Sequence, residues 1–216
     1  MRLRKIFHIV KELFKYIFHS KELFLLYYAG HLKDVGWFKS VKEKSCVDKN
    51  GNPVPWLTYP FLDFINTKLN KSFNVFEYGC GNSTLWWADK VNLVVSCEHN
   101  KEWFEKINRI KPKNVRLIFR ELDGNYSKEI LNYQNQFEII VIDGKDRVNC
   151  AKNSLDALKK DGIILWDNAE RKEYKDGYDF LLENEFKKID FCGMGPINMY
   201  KWCTALFYRE RNCLGL

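Results

Sequence analysis

Apolar residues recur at steps of three and four through Leu3, Ile6, Phe7, Val10, Leu13, Phe14, Ile17 and Phe18. That period predicts an amphipathic helix over residues 3–29, ended by Gly30 and Gly36. A lysine-rich connector follows, and Asp48-Lys-Asn-Gly51-Asn-Pro53 carries turn chemistry. Pro55-Trp-Leu-Thr-Tyr-Pro60 then opens a short helix over residues 61–69. From residue 73 the pattern alternates. Short apolar runs at 73–78, 93–98, 115–119, 137–143 and 163–166 predict strands, with helices at 83–89, 102–110, 127–133, 150–160 and 178–185 between and after them. Phe137-Glu-Ile-Ile-Val-Ile-Asp143 is apolar almost throughout, as suits a central strand buried on both faces. Two closing runs, 188–191 and 202–208, are joined by a short Gly- and Pro-bearing link that supports antiparallel pairing. The expected fold is α/β, a mostly parallel seven-stranded sheet with helices on both faces and an antiparallel last strand. An N-terminal arm and connector occupy residues 1–52, and the sheet domain residues 53–216.

Composition narrows the function classes. With 46% apolar and 29% charged residues the chain can form a packed core, which excludes wholesale disorder. The formal charge of +7 would suggest nucleic acid if it were spread over the domain. It is not. Arg2, Arg4, Lys5, Lys11, Lys15 and Lys21 face only Glu12 in the first 21 residues, so the excess belongs to the arm. Seven scattered cysteines show no Cys-x-x-Cys spacing, which predicts reduced thiols and a cytoplasmic protein rather than zinc or a disulfide framework. Lys11, Glu12 and Lys15 interrupt the first apolar run, so no signal peptide is expected, and Leu23–Ala29 is too short to span a bilayer.

The chemistry concentrates at strand ends, where open parallel sheets bind ligands. The first strand ends in Glu77-Tyr-Gly79-Cys-Gly81-Asn82-Ser83-Thr84, whose glycines let the backbone approach a ligand as the next helix points its free N–H groups at it. Asn82, Ser83 or Thr84 can cap that helix. Glu98 ends the second strand 21 positions after Glu77, where a carboxylate can accept both hydroxyls of a ribose. A dinucleotide site would want a third glycine where Thr84 and Leu85 stand.

With these features, residues 73–208 resemble the class I, Rossmann-like S-adenosylmethionine-dependent methyltransferases. The resemblance implies that Glu77, Gly79, Gly81, Asn82, Ser83, Thr84, Glu98 and Asp143 bind the cofactor, Glu98 through its ribose, with Asp123 beside the adenine. The strand-four and strand-five ends, Asp143-Gly-Lys145-Asp-Arg147 and Asp167-Asn168, resemble the magnesium-dependent catechol-type O-methyltransferases. Carried over, Asp143, Asp167 and Asn168 would ligate Mg²⁺ and Lys145 would be the base, although Lys145 lies one residue closer to Asp143 than in that family. The alternative stays open that Asp143 meets only cofactor or acceptor, Lys145 pairs with a carboxylate and Asp167-Asn168 caps a helix. His99 is a second candidate base or a residue at the cofactor's edge.

Residues 53–60 and 192–198 are the expected acceptor walls, with Trp56 and Tyr59 either lining the pocket or packing. The Trp-Leu-Thr-Tyr-Pro and Glu-Tyr-Gly-Cys-Gly-Asn-Ser-Thr-Leu-Trp-Trp stretches also resemble bacterial methyltransferases of surface-glycan pathways. The expected reaction is O-methylation of a sugar, glycan or other small hydroxylated acceptor. RNA methylation and a cofactor-binding scaffold without turnover are the alternatives. Nucleic acid is disfavoured by the near-neutral domain. Residues 1–30 can meet an anionic membrane surface at the cytoplasmic face, or pack on the domain or within a homodimer.

Overall fold

The structure is a computed structural model that describes residues 9–10 and 21–216, so most of the predicted N-terminal helix lies outside the described residues. Residues 21–29 are helical (α1), followed by α2 (His31–Asp34), α3 (Trp37–Glu43) and α4 (Tyr59–Asn66). The domain then runs β1 (Asn74–Tyr78), α5 (Asn82–Lys90), β2 (Leu93–Glu98), α6 (Lys101–Asn108) and β3 (Val115–Phe119). Its second half is β4 (Phe137–Ile142), α7 (Arg147–Lys152), β5 (Leu158–Asp167), α8 (Lys175–Glu183), β6 (Lys187–Gly193) and β7 (Trp202–Tyr208). One seven-stranded sheet has the order β3-β2-β1-β4-β5-β7-β6. Pairing is parallel from β3 to β5, and β7 runs antiparallel to both neighbours. The expected seven-stranded α/β fold with a reversed last strand is what forms.

Alternation along the strands divides the core into two layers. Ile140 and Ile142 of β4 face one layer with Phe76, Tyr78 and Trp166. Ile139 and Val141 face the other with Val75, Trp87 and Leu165. Because helices cover both faces, both sets of alternate positions are mainly apolar, and β4 is buried at every residue, Glu138 included.

Several boundaries move. The helix expected at 150–160 is Arg147–Lys152 only, and β5 begins at Leu158, where the backbone pairs with Phe137. The segment expected as a helix at 127–133 is a 3-10 turn, Glu129–Asn132. The connector does not stand apart from the domain. Trp37 and Ser40 are buried, the Ser40 hydroxyl exchanges hydrogen bonds with Val47, and Asn82 Nδ2 donates to the Cys46 carbonyl at 2.6 Å. Packing therefore runs through the boundary drawn at residue 52. The expectation that all cysteines are free is also corrected. The β6–β7 register sets Cys192 opposite Cys203, and the two form a disulfide. Within α1, residues 23–28 are apolar and exposed, and Tyr27 meets the Phe38 ring at 4.7 Å. No helix among the described residues is long and apolar enough to cross a membrane.

Candidate functional site

The chain winds outward from β1 to β3 and then returns to β4, so β1 and β4 flank the point where the winding reverses. A cavity of about 650 Å³ opens at their carboxyl ends. Gly79 takes the left-handed φ of +99°, which spares a side chain the strain of that conformation. A Cβ added at Gly144, after β4, would fall 1.9 Å from Tyr126 Oη, so only glycine fits there.

Buried polar contacts hold the first turn. Glu77, 1% exposed, accepts at Oε2 from Thr84 Oγ1 at 2.5 Å and from Ser96 Oγ at 3.0 Å. Thr84 Oγ1 in turn accepts the Gly81 N–H at 3.0 Å, so the helix is capped from its third residue rather than by a side chain before it. Burial lifts the Glu77 carboxyl from 4.5 to about 7, against the opposing pull of the Ser83, Thr84 and Ser96 hydroxyls.

Glu98 ties the second strand end to the first. Its Oε1 accepts the His99 N–H at 2.9 Å and the Asn100 N–H at 2.7 Å, and its Oε2 accepts the Cys80 N–H at 2.9 Å. His99 Nδ1 lies 3.1 Å from Oε1 but out of hydrogen-bond alignment. A carboxylate has about four acceptor sites. Oε2 therefore keeps capacity for one hydroxyl, and Glu98 lines the cavity.

The predicted cofactor residues separate here. Glu77, Gly79, Ser83, Glu98 and Asp143 line the cavity. Gly81 and Asn82 line an adjoining hollow of about 450 Å³ with Ser83, Cys46, Trp56 and Asp143. Thr84 is wholly buried and lines neither, because its hydroxyl is committed to the turn. Asp123 lies outside the cavity and caps its own loop, accepting from Asn125 N and Nδ2 at 3.0 Å each. Trp103 and Lys106, which sequence reasoning missed, line both spaces. The readable signal was Asn100 three residues before Trp103. Asn100 caps α6, which turns the Trp103 indole toward the Cys80 carbonyl.

The ends of β4 and β5 form a third space of about 340 Å³, lined by Trp56, Asp143, Arg147, Asp167, Asn168, Arg171, Asn198, Tyr200 and Trp202. Asp143 borders all three spaces. Lys145 borders the first alone and does not line the recess at β5. Both expected acceptor segments do meet here. Tyr59 N donates to Met194 O at 2.7 Å, and Trp37 Nε1 donates to Asn198 O at 3.0 Å. Trp56 is 47% exposed and forms a wall, whereas Tyr59 packs into the core.

The donor set does not fit magnesium. Asp167 Oδ1 already accepts Thr204 Oγ1 at 2.7 Å and Trp202 Nε1 at 3.0 Å. Asp143 Oδ1 pairs with Arg147 Nη2 at 3.2 Å, and the same guanidinium donates to the Asp167 carbonyl. Asn168 has a left-handed φ of +55° and contributes to the recess wall. Among the described residues no three His, Cys, Asp or Glu side chains are grouped to hold a metal. Burial raises the Asp143 carboxyl well above the usual range, helped by the Asp167 charge and opposed by Arg147. Burial likewise lifts Asp167, to about 6, against the hydrogen bonds from Thr204 and Trp202.

No protein-family model and no curated protein matches the sequence. Solved structures do match the fold. A precorrin-6y C5,15-methyltransferase from Geobacter metallireducens aligns at TM-score 0.57 and 10% identity, over 78% of this chain and 96% of that one. A putative methyltransferase from Streptococcus mutans in complex with SAH aligns at 0.51 and 16%, over 70% and 99%. Spermidine synthase from Thermotoga maritima aligns at 0.53 and 15%, over 68% of this chain and 56% of that longer one. The fold is that of the class I, Rossmann-like S-adenosylmethionine-dependent methyltransferases. At these identities the likeness establishes the fold and leaves the acceptor to the site.

Proposed function

We propose that the protein transfers a methyl group from S-adenosylmethionine to a hydroxyl of a sugar or similar small acceptor. The observation that carries this reading is Asp143, which borders the cavity at the glycine turn and also the recess at β5. Glu77, Gly79, Ser83 and Glu98 fit the cofactor, because they combine a backbone turn open to a ligand with a carboxylate that keeps an acceptor site. The cofactor supplies a methyl group activated by its positive sulfur. The recess supplies recognition: Trp56, Tyr200 and Trp202 offer flat faces to C–H surfaces, and the Asn168 and Asn198 amides offer paired donors and acceptors.

Asp143 takes the proton from the acceptor hydroxyl as its oxygen forms the new C–O bond. Bound S-adenosylmethionine would release the methyl group and keep the electron pair of its C–S bond on sulfur, so charge and protons balance. A carboxyl held above the ordinary range is, once ionised, a stronger base than a free aspartate. Lys145 and Mg²⁺ have no part in the step as the residues stand.

The test is calorimetric titration with S-adenosylhomocysteine, then transfer of labelled methyl to a panel of hydroxylated sugars. Micromolar binding is expected in EDTA. Glu98→Ala should weaken it about 10- to 100-fold, the worth of hydrogen bonds to a charged group. Absence of binding by the intact protein sinks the reading. Binding with methyl transfer to tRNA instead of sugars redirects the acceptor.

A further inference from the structure

The ends of β4 and β5 already hold a cation that belongs to the chain, paired with the Asp143 carboxylate and bonded to the Asp167 backbone carbonyl. Arg147 is 8% exposed. Its Nε donates to the Gly144 carbonyl at 2.9 Å, and its Nη2 to the Asp143 carbonyl and to Asp143 Oδ1, both at 3.2 Å. Nη1 donates to the Asp167 carbonyl, so one guanidinium bridges the two strand ends. The guanidinium carbon lies 5.4 Å from the centre of the Tyr174 ring. A planar fork with several fixed donors makes such a bridge.

We propose that Arg147 is the resident cation of this site, standing where a divalent metal would draw its ligands and positioning the Asp143 carboxylate between the cavities. If the protein has the proposed function, methyl transfer here needs no metal ion. The positioning itself rests on the contacts alone. A metal taking Asp143 Oδ1 as a ligand would compete with a buried guanidinium held by four hydrogen bonds. The charge of Asp143 beside that of Asp167 is offset by a cation within hydrogen-bond reach of Asp143, and the fold provides it covalently.

The experiment titrates Mn²⁺ into the full chain without cofactor, following the free-ion signal by electron paramagnetic resonance. The intact protein is expected to bind no Mn²⁺ at this site, up to millimolar concentration. Arg147→Ala should gain Mn²⁺ binding that added guanidinium displaces and that Asp143→Asn in the same chain removes. A purely structural arginine predicts no such gain, so a folded Arg147→Ala that binds no Mn²⁺ overturns the proposal. Should that variant not fold, Arg147→Lys retains one cation and is expected to fold and to exclude Mn²⁺. Mn²⁺ binding by Arg147→Lys or by the intact protein, lost on Asp143→Asn, overturns it equally. Failure of S-adenosylhomocysteine to bind would strike the methyl-transfer reading and leave these metal titrations unaffected.

Discussion

The ends of β4 and β5 carry the same spacing, Asp143-x-x-x-Arg147 and Asp167-x-x-x-Arg171, and the fold uses them in opposite senses. In the first corner the arginine is buried and the aspartate side chain keeps 26% exposure. In the second the aspartate is 4% exposed, while the Arg171 side chain is 47% exposed. The neighbours decide which partner turns inward. Arg147 begins α7 directly after Asp146, whose left-handed φ of +50° folds the helix back over the strand-end carbonyls. Asp167 lies opposite Thr204 of β7 and receives its hydroxyl, together with the Trp202 indole. All four side chains border the recess, and the more exposed carboxylate comes from one corner while the more exposed guanidinium comes from the other.

The largest expected effect breaks the first corner. Asp143→Asn keeps the size and one acceptor oxygen but cannot take a proton. Turnover should fall about 10²- to 10⁴-fold, the usual worth of a general base. Affinity for S-adenosylhomocysteine should change only a few-fold. Equal losses in binding and turnover would mean that Asp143 serves the cofactor alone.

Glu77 sharpens the same comparison, since it is a buried carboxylate held by hydroxyls, with no ion pair among the described residues. Its folded pKa stands at about 7 against an ordinary 4.5. The stability this group contributes is therefore full below about pH 4.5 and is lost as pH rises to 7, by about 3 kcal/mol. Glu77→Gln should flatten that part of the stability curve in urea melts across the window. An unchanged slope would show that Glu77 ionises freely. A third variant tests the closed side of the second corner. Asp167→Ala leaves Trp202 Nε1 and Thr204 Oγ1 without their acceptor, which should cost about 1–3 kcal/mol of stability in the same melts.

What the sequence disclosed follows from how contiguous each part is. Glu77, Gly79 and Glu98 stand at strand ends flagged by a turn motif and a fixed interval, so their meeting was legible. So was the reversed last strand, from the link before Trp202. The start of β5 was not, because Lys159, Lys160 and Asp161 read as a polar helix end until Phe137 pairs with Leu158. The Cys192–Cys203 pair depends on register between two strands, which spacing alone leaves free. The recess at β5 is less legible still. Trp56, Asn198 and Tyr200 come from loops docked by the Tyr59–Met194 and Trp37–Asn198 hydrogen bonds, and no local pattern announces those contacts. Even the Asp-x-x-x-Arg spacing was neutral as to which partner would face the ligand.

Arg171 is where the open side of the second corner can be tested with the least disturbance. Its nearest carboxylates are Glu170 at 4.0 Å and Glu173 at 3.9 Å, both on the surface, and the Tyr174 hydroxyl lies 3.4 Å away. Exposed pairs of that kind contribute little, so Arg171→Ala should leave stability within about 0.5 kcal/mol. The guanidinium also borders the cavity at the glycine turn as well as the recess. If its role is to hold the acceptor, the variant should raise the acceptor KM about tenfold, near the worth of one hydrogen bond to a charged group. Its kcat should change much less, because Asp143 and Arg147 remain in place. Arg171→Lys keeps charge but not the fork, and recovery of KM by that variant would reduce the contact to simple charge. A fall in kcat with KM unchanged would instead place Arg171 in the transition state and erase the division of labour between the two corners.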